Sequence, residues 1–139
     1  MAAKARGDDA ELAVAEWFKR RDCIVAKTLG DDTFDLLVQM RLEVKNDLRA
    51  VETGNAAIEV GYRGKPSGIM ATSAERFVVV VGDVAYMART AQLRSLLKSG
   101  NFPERSAGDG GLAVVQLVPL DMLRNLDFVN VLDLSGTGP

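Results

Sequence analysis

Histidine is absent from these 139 residues, and cysteine occurs once, at Cys23. Without histidine, Ser-His and Cys-His nucleophilic mechanisms, histidine-ligated metals and a histidine general base are excluded. A lone thiol excludes an internal disulfide and every zinc site built on two or more thiolates. Wholly apolar runs such as Phe77 to Val81 fall far short of a membrane span. The basic start, Met1 to Arg6, is not followed by the hydrophobic stretch of a signal peptide, so the expected compartment is the cytoplasm, with no membrane partner. Aromatics make up only 6%, too few for a base-stacking platform, and Trp17 fits a core position better. Neither sign of charge dominates: 17 basic and 19 acidic residues give −2. A nucleic-acid partner would therefore meet a local basic patch, not a globally basic body.

What is present fits one compact domain over 1–139, with about 1–7 and 133–139 expected to fray. The spacing of Ala10, Ala13, Val14, Trp17 and Phe18 predicts an amphipathic helix from about Asp9 to Arg21, with Asp8 as its N-cap. Strands are predicted at Cys23 to Lys27, at Thr33 to Met40 after the turn signal Gly30-Asp31-Asp32, and at Leu42 to Asn46 beyond a tight turn near Arg41. Ala56 to Val60 follows, then the punctuated loop Arg63 to Gly68. Phe77 to Val81 reads as a fully buried central strand, and Gly82-Asp83 turns the chain into Val84 to Ala88. Thr90 caps a helix over Ala91 to Lys98, Leu112 to Val118 is a last strand, and Pro119 starts a short helix through Arg124. This order predicts an α/β or α+β fold, helices flanking a mixed central sheet.

The segment Phe34-Asp-Leu-Leu-Val-Gln-Met-Arg-Leu-Glu-Val-Lys45 carries the chemistry. Alternate strand side chains share a face, so Glu43 and Lys45 project together while Leu42 and Val44 point the other way. A hairpin turning near Arg41 would bring Asp35 towards Glu43. Carboxylates leaving water repel one another unless they are compensated, and a divalent cation does this. Oxygen ligands suit Mg²⁺, with Mn²⁺ as a substitute. Lysine beside them orients the attacking water or stabilises charge developing on phosphate. The bland alternative is a strand-end aspartate near a surface ion pair.

Asp35, seven intervening residues, then Glu43-Val44-Lys45 resembles the PD-(D/E)xK nuclease motif, with Phe34 in the place of the name-giving proline. Ala5-Arg-Gly-Asp-Asp-Ala-Glu11, Val14-Ala-Glu-Trp-Phe18, Phe34-Asp-Leu-Leu-Val38 and Leu42-Glu-Val-Lys45 are similar to archaeal-type Holliday junction resolvases and related phage nucleases. That likeness spans roughly residues 5 to 80. It implies a restriction-endonuclease-like core and a Mg²⁺-dependent DNA endonuclease of phage or mobile-element type, acting in the host cytoplasm if phage-encoded. It also implies a homodimer acting on branched DNA. Asp35 and Glu43 would be metal ligands, with the Val44 carbonyl; Lys45 would position water, and Glu11 would be the auxiliary glutamate from the helix. Asp8-x-x-Glu11 also matches a capping box, a purely local role.

Weaker signals surround this motif. Glu59 alternates with Ile58 and Val60, as an auxiliary carboxylate or as a solvent-facing strand residue. Arg6, Arg63, Lys65 and Ser67 are candidate DNA-phosphate contacts, the last three in a loop that also reads as a solvated turn. Arg89, Arg94 and Lys98 recur on one side of the second helix, as phosphate contacts or as an exposed charged face. The competing functions are a nicking or restriction-like duplex endonuclease, a non-catalytic nucleic-acid-binding module on the same fold, and a small interaction domain.

Overall fold

The computed structural model describes the backbone of residues 2–28 and 34–136, and side chains from Asp8 onwards within those spans. The fold is mixed α+β. It divides into two compact units, Met1–Arg41 and Leu42–Pro139. Among the described residues, no helix is long and apolar enough to cross a membrane.

The first unit holds helix α1 (Ala2–Lys19) and an antiparallel pair, β1 (Ile24–Lys27) and β2 (Leu36–Gln39). The turn expected at Gly30-Asp31-Asp32, and Thr33, lie outside the described residues. Helix α1 starts well before Asp9, in an alanine-rich stretch of high helix propensity. Asp8 is therefore an interior residue, and the capping-box reading of Asp8 and Glu11 falls. The buried face also differs from the expected one. Ala15 is buried and Glu11 and Phe18 are partly covered, whereas Ala10, Ala13, Val14 and Trp17 stay exposed. The cause is Lys27, which reaches from β1 to Glu11 and makes that carboxylate tolerable on the covered side. Trp17 instead carries the Arg21 guanidinium 3.5 Å above its ring. Cys23 is buried, and its thiol donates weakly to the Arg21 carbonyl at 3.7 Å.

The second unit is built on two four-stranded sheets. One has the order β10-β7-β6-β3 and the other β5-β4-β9-β8. The first contains β3 (Leu42–Asn46), β6 (Arg76–Val81), β7 (Val84–Arg89) and β10 (Val129–Asp133). The second contains β4 (Asn55–Tyr62), β5 (Lys65–Pro66), β8 (Glu104–Ala107) and β9 (Ala113–Pro119). Strand β3 runs parallel to β6, with Glu43 opposite Phe77 and Lys45 opposite Val79. The hairpin expected across Arg41 is thus not formed: β2 takes β1 as its partner, and β3 takes β6. Four successive β-branched residues in β6 make it the better apolar neighbour, although it lies over thirty residues along the chain.

The core of this unit is apolar and continuous. Phe77, Val79 and Val81 from β6, Ile58 and Val118 from the other sheet, and Leu93 and Leu97 from α3 (Thr90–Ser99) are all buried in it. Each such side chain contributes about 1.5–3 kcal/mol relative to exposure. Thr90 does not cap α3; it is the first helical residue, and its buried hydroxyl has no partner. Short helices α2 (Ala50–Thr53) and α4 (Leu120–Arg124) complete the unit.

Two turns fix local geometry. Tyr62 pairs with Lys65 across the two-residue loop Arg63-Gly64, both at positive φ (51° and 78°). Positive φ at both central positions matches the right-handed twist of the flanking strands. Gly68, at φ +55°, starts a 3₁₀ turn (Gly68–Met70), and a Cβ there would lie 2.2 Å from the Glu59 carbonyl oxygen. Only glycine permits that approach. It seats the 67–72 segment on β4 where the register shifts between Glu59 and Gly61.

Candidate functional site

Strand periodicity places Glu43 and Lys45 on one face of β3, and they meet there: Lys45 Nζ lies 2.9 Å from Glu43 Oε1. The Lys45 ammonium, first by hydrogen bond and then by charge, holds the Glu43 carboxyl below its ordinary range. The Thr72 hydroxyl adds a donor, and partial burial opposes both. Glu43 is therefore an ionised oxygen donor at neutral pH, with a cation already beside it. Val44, on the opposite face, is exposed.

Asp47 closes the strand mechanically. Its Oδ1 accepts from the Ala50 amide at 3.1 Å and its Oδ2 from the Ala57 amide at 2.8 Å, tying β3 to α2 and β4. Both oxygens serve backbone, so Asp47 positions Glu43 and Lys45 rather than binding a ligand. Asp47 carries no motif of its own in the sequence: Arg49 stands at the N-cap of α2 without a side-chain cap bond, and Gly54 at φ +73° ends the helix. Thr72 carried no sequence signal, since a folded loop brings it to Glu43.

The other expected residues are placed as follows. Glu59 is partly covered on β4 at the register shift, in the sheet that does not contain β3. Arg63 sits at the hairpin tip, 5.5 Å over the Tyr62 ring. Lys65 is exposed on β5, and Ser67 has its hydroxyl buried without a partner. Arg94 is not available as a phosphate contact; its guanidinium donates to the carbonyls of Ile69 and Thr72, each at 2.9 Å. The Arg6 side chain lies outside those described.

In the first unit, Asp35 stands exposed at a bend just ahead of β2, its carbonyl accepting from the Thr28 amide and hydroxyl at 3.0 and 3.1 Å. Glu11 is engaged by Lys27 at 3.2 Å, with Asp8 at 3.7 Å from the same ammonium. These carboxylates raise the Lys27 pKa, Glu11 first. A small cavity of about 140 Å³ adjoins the trio, floored by Leu12, Ala15, Val25 and Leu36.

Among the described residues, no three histidine, cysteine, aspartate or glutamate side chains gather closely enough to hold a metal ion. Magnesium requires fewer, since one or two protein carboxylates suffice when water and substrate phosphate supply the rest. Glu43, ionised and half-exposed, fits the role of one such ligand. No protein-family model, curated protein or solved structure matches this chain.

Proposed function

We propose that the chain is a metal-dependent DNA endonuclease that hydrolyses phosphodiester bonds in the cytoplasm. The observation that carries this reading is the Glu43–Lys45 pair, a carboxylate kept ionised beside an ammonium on one strand face. The PD-(D/E)xK-like spacing from Asp35 to Lys45 supports it. Mg²⁺, or Mn²⁺ in its place, would supply Lewis acidity towards the phosphate. Glu43 provides a hard oxygen ligand. Lys45 hydrogen-bonds the attacking water or a non-bridging phosphate oxygen, where it opposes the charge that builds as the water oxygen bonds to phosphorus and the bridging oxygen departs. Glu59 is an auxiliary carboxylate in this reading; Asp35 and Glu11 belong to the other compact unit and are assigned by the motif's resemblance alone.

Branched DNA is the substrate the resolvase-like segments favour, and cutting two strands calls for a two-fold dimer. The test is direct: purified protein is incubated with labelled four-way junction, flap, single-stranded and linear duplex DNA in Mg²⁺, Mn²⁺ or EDTA. Cleavage by the wild type that is lost in EDTA, in Glu43→Gln and in Asp35→Asn supports the reading. Undiminished nicking by either variant removes the assigned site. A non-catalytic nucleic-acid-binding module is the second reading, favoured by the lack of a three-carboxylate group among the described residues. Saturable Mn²⁺ binding that Glu43→Gln abolishes argues for the enzyme.

A further inference from the structure

The second unit has an open cleft of about 410 Å³, well away in sequence from the Glu43–Lys45 strand. Val60, Met70 and Val114 form its apolar wall, and Lys65 and Lys98 supply its cations. Its volume lies within the usual range for small-molecule sites. Among the described residues, neither lysine is drawn into an ion pair.

Gly61 explains why the space is open. Its φ is not in the left-handed region, so the backbone does not demand glycine there. A Cβ at this position would stand 3.4 Å from the Lys65 carbonyl oxygen and 3.9 Å from the Val114 Cβ. These are ordinary contact distances, so a Cβ is sterically admissible here, and a side chain built on it would add atoms to the cleft lining. The glycine leaves a hollow between β5 and β9 where almost any residue would put atoms. Helix α3 brings Lys98 to this hollow, and Arg94, one turn earlier, fixes the helix to the 67–72 segment through its two carbonyl bonds.

An apolar wall with two unpaired ammonium groups selects an anion that carries a flat or apolar body. We propose that this cleft binds a nucleotide, its base against Val60, Met70 and Val114 and its phosphate between Lys65 and Lys98. The choice of a nucleotide over other amphiphilic anions rests on the nuclease reading above; the cleft geometry does not. A single strand or a free mononucleotide can present a base to such a hollow, whereas a fully paired duplex keeps its bases stacked inside.

The experiment measures binding in EDTA, so that it is independent of cleavage. Fluorescence anisotropy follows a short labelled oligothymidylate and a blunt duplex of equal length, and thymidine 5′-monophosphate is titrated as competitor. Lys65→Ala and Lys98→Ala should each weaken single-strand binding about tenfold at low salt and reduce the salt dependence by roughly one phosphate contact. Gly61→Leu, which adds no charge, should weaken it at least as much. Arg105→Ala, removing an equal charge from β8, should change it by less than about twofold. Competition by the mononucleotide assigns a site for one nucleotide; binding of the oligonucleotide alone assigns a strand contact, and both support the proposal. Indifference to all three cleft variants, equal loss with Arg105→Ala, or a preference for duplex overturns it. Circular dichroism of each variant establishes that the fold persists. Cleft-dependent binding without cleavage by the wild type would sink the nuclease reading alone, and cleavage with cleft-independent binding would sink this one alone.

Discussion

Among the described residues three lysines face carboxylates; Lys19 makes a surface pair with Glu16 one turn away, while Lys45 and Lys27 use the encounter in two different ways. Lys45 meets one carboxylate, two residues away on its own strand, at 2.9 Å. Lys27 meets two, Glu11 at 3.2 Å and Asp8 at 3.7 Å, on a helix that packs against its strand. In the first case the carboxylate is perturbed: Glu43 is held ionised, and Thr72 adds a second donor. In the second the lysine is perturbed, its ammonium retained by two neighbours of opposite sign. One pair keeps a carboxylate ionised on a strand face. The other fastens a helix to a sheet and lets Glu11 occupy the covered face.

Activity should separate them most. Glu43→Gln or Lys45→Ala is expected to lower metal-dependent cleavage by about a thousandfold or more, with unchanged circular dichroism, because each removes charge where the transition state develops it. Lys27→Met should leave the turnover rate nearly intact and lower Tm instead. Equal loss of rate from Lys27→Met would erase the distinction. Next in size is the support behind each group. Asp47→Ala should cost about 1–2 kcal/mol in denaturant unfolding, since it deprives two backbone amides of their acceptor. Its effect on Tm should exceed that of Lys27→Met.

The smallest effects are in titration, and they have opposite signs. The folded-state pKa of Glu43 is lowered, so its contribution to stability is present at neutral pH and is lost as pH falls through that lowered value. In Lys45→Met, carboxyl NMR should show the Glu43 midpoint moving up towards the ordinary 4.5. Lys27 is raised above 10.5, so its contribution is present below that pH and fades as pH rises through the higher folded value. Glu11→Gln should move its titration down, again by NMR. Shifts in the same direction at both sites would show that a general field, not these partners, sets the two values.

Local patterning made much of this legible. The alternation along β3 was enough to put Glu43 and Lys45 on one face, and the β-branched run of β6 marked a buried strand. Leu93 and Leu97 mark the buried face of α3. Pairing was harder to read. A parallel ladder between β3 and β6 joins segments separated by α2, β4 and β5, and no local signal competes with the apparent tight turn at Arg41. Strand β8 lacks apolar alternation strong enough to stand out; β10 carries Val129, Val131 and Leu132 but is ordered by its ladder to β7, with Val129 opposite Ala88. The face of α1 misled because Glu11 scores as polar until its cation is known. Glu43 and Lys45 were visible as a pair because they are neighbours on one strand, whereas Thr72 and Asp47 act through folding contacts that the sequence does not display.

The terminal position of β3 in its sheet has a further consequence. An outermost strand offers a row of amides and carbonyls on which another chain can be templated, and natural proteins guard such rows with charge. Here the guards are Glu43 and Lys45 themselves. Variants that remove these charges therefore also strip the gatekeepers from the outermost strand, and replacing both residues at once should lower the concentration at which the protein stays dispersed.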